Sequence, residues 1–144
     1  MSFAQLFSIA NTAALLGWAC LILLPRHHLV IGALRYGLIA ALSVTYTVLI
    51  LIYFFRIQGG GFNSIAEVRA LFLSDGGLVA GWVHYLAFDL FIGIWIAEQA
   101  DRAGTSRLLQ APILVATFMF GPIGLLLHYA TRAAQMNFPI KSGA

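Results

Sequence analysis

The sequence predicts an all-α integral membrane bundle of four transmembrane helices, with a short interfacial amphipathic helix between spans two and three. Hydrophobic residues make up 61% of the 144 residues and charged residues only 9%, whereas a soluble domain carries about 25% charged residues. The few charges are also grouped between long apolar stretches. Each stretch provides the roughly 20 residues that cross a hydrocarbon core. The predicted spans are 3–24, 32–55, 77–99 and 108–131.

Four crossings place both termini on one side of the membrane, which we call side A. The loops 25–31 and 100–107 then lie on the opposite side, side B. No repeat or linker interrupts the chain, so residues 1–144 are predicted to form one membrane domain.

The segment between spans two and three predicts a further, shorter helix. Three glycines, 59–61, indicate a flexible turn. Ser64 and Glu67 then have the spacing of a capping box, in which each side chain accepts a backbone N–H at the helix start. The apolar residues that follow share one face, which predicts an amphipathic helix near 64–73 lying in the side A interface.

The net charge of +3 comes from scattered basic residues that flank the apolar stretches. No basic stripe of the kind that binds nucleic acid is present, so we expect membrane lipid and not nucleic acid as a partner. The basic residues are nearly balanced between the two sides, with a slight excess that favours a cytoplasmic side A. They are Arg56, Arg69, Arg132 and Lys141 on side A, and Arg26, Arg102 and Arg107 on side B.

The N-terminal residues resemble neither a signal peptide nor a transit segment. We therefore expect the bacterial inner membrane, or a thylakoid or other plastid membrane for a processed plastid protein. Cys20 is the single cysteine of the chain, which excludes an internal disulfide or a thiolate metal site. No metal-ligand spacing is present, and we expect neither a metal nor another cofactor.

Asp89 interrupts the third span, within "GWVHYLAFDLFIGIWIAEQA". A carboxyl group at mid-membrane costs roughly 2.5 to 3.5 kcal/mol on insertion scales. Removal from water favours its neutral acid form. Intramembrane acids are usually functional, although a purely structural role as a hydrogen-bonding link between helices is the alternative. Other polar features at this depth are Asn11 in span one, Thr45 and Tyr46 in span two, and the Gly121–Pro122 break in span four.

Helical periodicity separates the polar residues of the third span into two faces. Trp82, Tyr85 and Asp89 share one face, while His84, Phe88 and Trp95 share another. His84 and Asp89 therefore do not form a simple adjacent pair.

Two further pairings involve residues on different spans. His128 is predicted to lie near side A, at a height close to His84, but no third ligand suggests that the two histidines hold a metal. Arg35 and Glu98 both lie just inside side B, and we predict that they form an ion pair.

The stretches "WVHYLAFDLFIGIWIAEQADRAG" and "LLQAPILVATFMFGPIGLLLHYATR" resemble the abscisic-acid-deficient-4-like family. The resemblance covers most of the chain, and its motif positions here are Trp82, His84, Asp89 and the Gly121–Pro122–x–Gly124 turn. It implies a four-helix membrane protein connected with xanthophyll chemistry. In plants that chemistry converts the 5,6-epoxide end group of violaxanthin into an allenic alcohol, without net redox change.

Two functions follow as hypotheses. In the first, the protein is a carotenoid isomerase in which Asp89 supplies a proton and His84, Tyr85 or His128 removes one. In the second, it is a non-catalytic subunit that binds pigment or lipid, as a homo-oligomer or within a larger membrane complex. A transporter is disfavoured because no inverted repeat is evident. The predicted substrate-binding residues are Asn11, Thr45, Tyr46, Trp82, Phe88, Trp95, Gly121 and Pro122.

Overall fold

The computed structural model describes residues 1–137, and all regular secondary structure in that range is helical. Three of the helices are long and apolar enough to cross a membrane. Helix α3 is a short helix between the second and third of these, and two shorter helices follow them. The helices are α1 (Phe3–Leu23), α2 (His28–Arg56), α3 (Ile65–Phe72), α4 (Asp75–Arg102), α5 (Arg107–Phe120) and α6 (Pro122–Asn137).

Helix α2 is not regular along its length. Residues Ala33–Ile39 form a π-helical segment, and Phe54–Arg56 close the helix as a 3₁₀ turn. Single π-helical turns within α-helices are frequent at functional sites because they change the direction of the side chains that follow. Here the segment ends at Ile39, immediately before the part of α2 that packs against α4.

Helix α3 begins as the sequence predicts, with one difference at the cap. The Ser64 hydroxyl accepts a hydrogen bond from the Glu67 N–H at 3.2 Å. The Glu67 carboxylate accepts from the N–H of Asn63 at 2.9 Å, one residue before the position that a capping box requires. Its location in the membrane interface stays a prediction.

The chain divides into two compact units, residues 1–91 and residues 92–144. The boundary falls inside α4, so this helix contributes to both units. In the first unit, small residues bring the helices close together: Ala10 and Ala14 of α1 are buried in one core with Leu42 of α2 and Val83 of α4. The prediction of a single domain stays a prediction.

The second unit contains a helical hairpin, and the residues of the predicted fourth span are divided between its two helices. The Gln135 Nε2 near the end of α6 donates to the Thr105 Oγ1, which lies just before α5, at 3.0 Å. Helix α6 therefore returns toward the end at which α5 begins. Helix α5 has 14 residues, a rise of about 21 Å, whereas a hydrocarbon core is about 30 Å thick.

The chain reverses at Gly121 for local reasons. Gly121 has φ 47° and ψ −95°, in a region that favours glycine, and α5 ends one residue before it. Pro122 is the first residue of α6, a position at which a backbone N–H would have no partner within the helix. Gly124 presents no side chain, so that α6 lies directly against the backbone of Thr117. The sequence indicated a break at this point but not a reversal.

The hairpin bears on only part of the predicted membrane topology. Residues 108–131 do not form one continuous helix, because α5 ends at Phe120 and α6 begins at Pro122. The number of crossings, the side on which each terminus lies and the orientation of the protein stay predictions. Lys141 lies outside the described residues.

Candidate functional site

One face of α4 carries the aromatic and acidic residues that the sequence grouped together. The Trp82 Nε1 donates a hydrogen bond to the Asn11 Oδ1 of α1 at 3.3 Å. The Trp82 ring lies 5.6 Å from the ring of Phe7 and 5.3 Å from that of Tyr85, between centroids. Two predicted binding residues, Asn11 and Trp82, are thus in direct contact.

Asp89 follows Tyr85 by one helical turn on the same face. The carboxyl is half-buried, and the Tyr85 side chain lies within hydrogen-bonding reach of it. Its Oδ2 atom is buried and makes no hydrogen bond within residues 1–137. Buried polar atoms are nearly always hydrogen-bonded, and an exception calls for an explanation. The free oxygen is available to a group that residues 1–137 do not supply.

The hydroxyl of Thr45 is used within its own helix. Its Oγ1 donates to the Ala41 carbonyl at 2.9 Å, and the Oγ1 of Thr47 donates to the Ser43 carbonyl at 2.8 Å. Threonines in helices often bond in this way to the carbonyl four residues earlier. The Thr45 proton is therefore already engaged, and only the acceptor side of this hydroxyl remains for a ligand.

His84 lies on the second face of α4, turned by about 140° from Asp89. Its imidazole stacks on the Phe88 ring at 4.6 Å and lies 5.2 Å from the ring of Tyr46 on α2. The structure thus pairs His84 with Tyr46 and Phe88, and Asp89 with Tyr85. The sequence predicted that the faces are separate, but not the Tyr46 contact.

Two cavities follow this second face between α2 and α4. The first, of about 250 Å³, lies beside α3 and has His84 and Tyr46 among its lining residues. The second, of about 230 Å³, is lined by Ile39, Ser43, Ala87, Phe88 and Phe91. The sequence signal for them is the repetition of His84, Phe88 and Phe91 along one helical face.

The remaining predicted residues belong to the second unit. His128 is buried, with 3% of its surface exposed, and its ring meets the ring of Trp95 edge-on at 5.4 Å. Trp95 lies two turns before the side B end of α4. The predicted height of His128 relative to His84 stays a prediction. Gly121 and Pro122 form the tip of the hairpin.

Arg35 and Glu98 are both half-buried, Arg35 in the π-helical segment of α2 and Glu98 near the end of α4. Their ion pair stays a prediction.

Sequence reasoning missed a polar network that ties the hairpin to the end of α4. Gln110 is 1% exposed, and its Nε2 donates to the Asp101 Oδ1 at 2.8 Å and to the Thr105 carbonyl at 2.7 Å. The Arg132 Nη1 in turn donates to the Gln135 Oε1 at 3.3 Å. The available signal was a lone amide, Gln110, near the start of an otherwise apolar stretch.

Comparison with known proteins identifies one family. Residues 5–128 match the sequence profile of the family described as ABA DEFICIENT 4-like, a range that includes every predicted site residue. No curated protein and no solved structure shows a significant match to the chain.

Proposed function

The chain belongs to the ABA DEFICIENT 4-like family, and on this premise we propose that it is a membrane protein of carotenoid metabolism that isomerises a carotenoid end group. The observation that carries the proposal is the buried Asp89 Oδ2 without a hydrogen-bond partner in residues 1–137. A carboxylic acid with a free oxygen inside an apolar span is suited to donate a proton to a substrate oxygen.

An epoxide end group rearranges by gaining one proton at oxygen and losing one proton at carbon. Asp89 gives its proton to the epoxide oxygen as one ring C–O bond breaks. A neighbouring carbon of the polyene chain loses a proton to a base, and its C–H electron pair becomes part of the new double bond. The product has the composition of the substrate, so no oxidant or reductant is required.

Tyr85 acts in this scheme as a positioning residue, because its side chain lies within hydrogen-bonding reach of Asp89. The base is assigned to an imidazole, since neutral histidine accepts protons near neutral pH. His84 and His128 are the two candidates. General acid–base assistance of this kind contributes about 10² to 10⁴ to a rate.

A second function has its own support. The two cavities between α2 and α4, with the stacked rings of His84 and Phe88 beside them, suit an apolar conjugated molecule. In this alternative the protein binds pigment or lipid without converting it, alone, as a homo-oligomer or with a membrane partner.

The test is expression in a host that accumulates an epoxide carotenoid, with an empty vector as the control. We expect a new pigment of unchanged mass and altered end group, which liquid chromatography and mass spectrometry would detect. The isomerase is contradicted if pigment co-purifies with the protein while the carotenoid composition of the host stays unchanged. That result supports the binding function.

A further inference from the structure

The cavity beside α3 has three polar side chains on its walls whose hydrogen-bonding capacity is unused. Tyr46 and Tyr53 of α2 and His84 of α4 all line this cavity. None of the three makes a side-chain hydrogen bond within residues 1–137. His84 lies nine residues into α4, about 13 Å along its axis, where the membrane offers no water to satisfy the imidazole.

The shape of this cavity limits what it can hold. Its walls are mainly apolar, with Phe62 stacked on Phe54 at 5.4 Å, and Gly77, Ala80 and Gly81 leave the α4 side of it flat. Sites for drug-sized molecules are about 300 to 1,000 Å³. A volume of about 250 Å³ therefore fits one substituted six-membered ring and not a whole lipid.

The second cavity continues along the same two helices. Ala87 and Phe91 lie one and two turns beyond His84, and Ser43 is the only polar residue among its five lining residues. This apolar cavity of about 230 Å³ suits a hydrocarbon chain attached to a ring in the first cavity.

We propose that the groove between α2 and α4 binds an isoprenoid lipid that ends in an oxygenated ring. Tyr46 and His84 hydrogen-bond the ring oxygen, and the isoprenoid chain follows the second cavity past Phe88. A quinone head group and the hydroxylated end ring of a carotenoid share this chemistry. The inference rests on the binding function proposed above and names its ligand class. The site lies on the face of α4 turned away from Asp89 and requires no reaction there.

The test measures binding to the purified full-length chain in lipid nanodiscs. Three probes are compared: ubiquinone-2, a quinone with a short isoprenoid chain; the dihydroxy-carotenoid zeaxanthin; and squalene, an isoprenoid without ring or oxygen. Bound probe is extracted after washing and quantified by absorbance, or by mass spectrometry for squalene. We expect one or both ring probes to bind, and squalene to bind at least tenfold more weakly.

Two variants and a matched control test the contacts. Tyr46→Phe and His84→Phe keep an aromatic ring but remove the hydrogen bond, and each should weaken binding about five- to tenfold. Tyr36→Phe is the control, because Tyr36 is 78% exposed and lines neither cavity, and its affinity should be unchanged.

The identity of the probe that responds to both variants names the source of the ligand, quinone or carotenoid. The proposal is overturned if squalene binds as tightly as the ring probes. It is also overturned if Tyr46→Phe and His84→Phe bind the ring probes as tightly as Tyr36→Phe does. Because the measurement is binding and not conversion, an inactive isomerase leaves this result unaffected.

Discussion

The turn of the hairpin predicts that Gly124→Ala destabilises the second unit. A Cβ at this position would meet the Oγ1, N and Cα atoms of Thr117. Two of these are backbone atoms, so a side-chain rotation cannot relieve the contact. Overpacking costs about 1 to 3 kcal/mol, and a rigid neighbour puts the cost in the upper half of that range.

Alanine also has an advantage in a helix, because it loses less backbone entropy than glycine by about 1 kcal/mol. The difference leaves a net loss of about 1 to 2 kcal/mol in the free energy of unfolding. The assay is reversible unfolding in mixed micelles, followed by far-ultraviolet circular dichroism.

Gly32→Ala is the matched control, since Gly32 is also helical and, apart from its chain neighbours and the adjacent backbone of its own helix, no heavy atom lies within 4 Å of the added Cβ. We expect this variant to be neutral or more stable by up to about 1 kcal/mol. If Gly124→Ala were as stable as Gly32→Ala, the close packing of α6 on Thr117 would be refuted.

Three further predictions test the hairpin and the local contacts. In a background without the native cysteine, Ser106→Cys and Ala134→Cys should react with an impermeant thiol reagent from the same side, because the hydrogen bond of Gln135 to Thr105 brings the end of α6 to the start of α5; labelling from opposite sides contradicts the hairpin. Gln110→Leu should lower the free energy of unfolding by about 1 to 3 kcal/mol, because it removes the amide that donates to Asp101 and to the Thr105 carbonyl; an unchanged denaturation midpoint contradicts the network. Ser64→Ala should destabilise α3 by about 1 kcal/mol, seen as about fivefold faster amide exchange in that helix, and unchanged exchange would exclude the cap.

The three helices that are long and apolar enough to cross a membrane could be predicted from the sequence because length and hydropathy decide them. Their observed bounds, Phe3–Leu23, His28–Arg56 and Asp75–Arg102, contain or nearly match the predicted spans. A chain of about 20 apolar residues has few alternatives to a helix in a membrane, since every backbone group must be satisfied internally.

The hairpin could not be predicted in the same way. Residues 108–131 contain enough apolar residues to cross once, and the Gly121–Pro122 pair fits a kink as well as a reversal. The difference depends on the backbone dihedral angles of Gly121 and on the contact between Gly124 and Thr117. Hydropathy does not report either of these.

The candidate site could be predicted in part. The separation of His84 from Asp89 follows from the 100° rotation per residue along a helix. In the structure the two residues accordingly have different neighbours, Phe88 for His84 and Tyr85 for Asp89. The contacts between helices do not follow from periodicity on one helix, which is why the Tyr46 neighbour of His84 and the Trp95 neighbour of His128 were missed. The use of the Thr45 hydroxyl within α2 depends on a side-chain rotamer, which the sequence leaves open.

The role of Asp89 as a proton donor is tested most directly by measuring carotenoid conversion with Asp89→Asn and Asp89→Leu at matched folded yield. The asparagine keeps the volume and a hydrogen-bond donor but has no proton to deliver, so we expect a folded protein whose conversion falls by a factor of about 10² or more. Asp89→Leu should lose conversion as well, together with the hydrogen-bonding reach to Tyr85. Full conversion by well-folded Asp89→Asn would exclude proton transfer from Asp89 and leave this residue a structural role only.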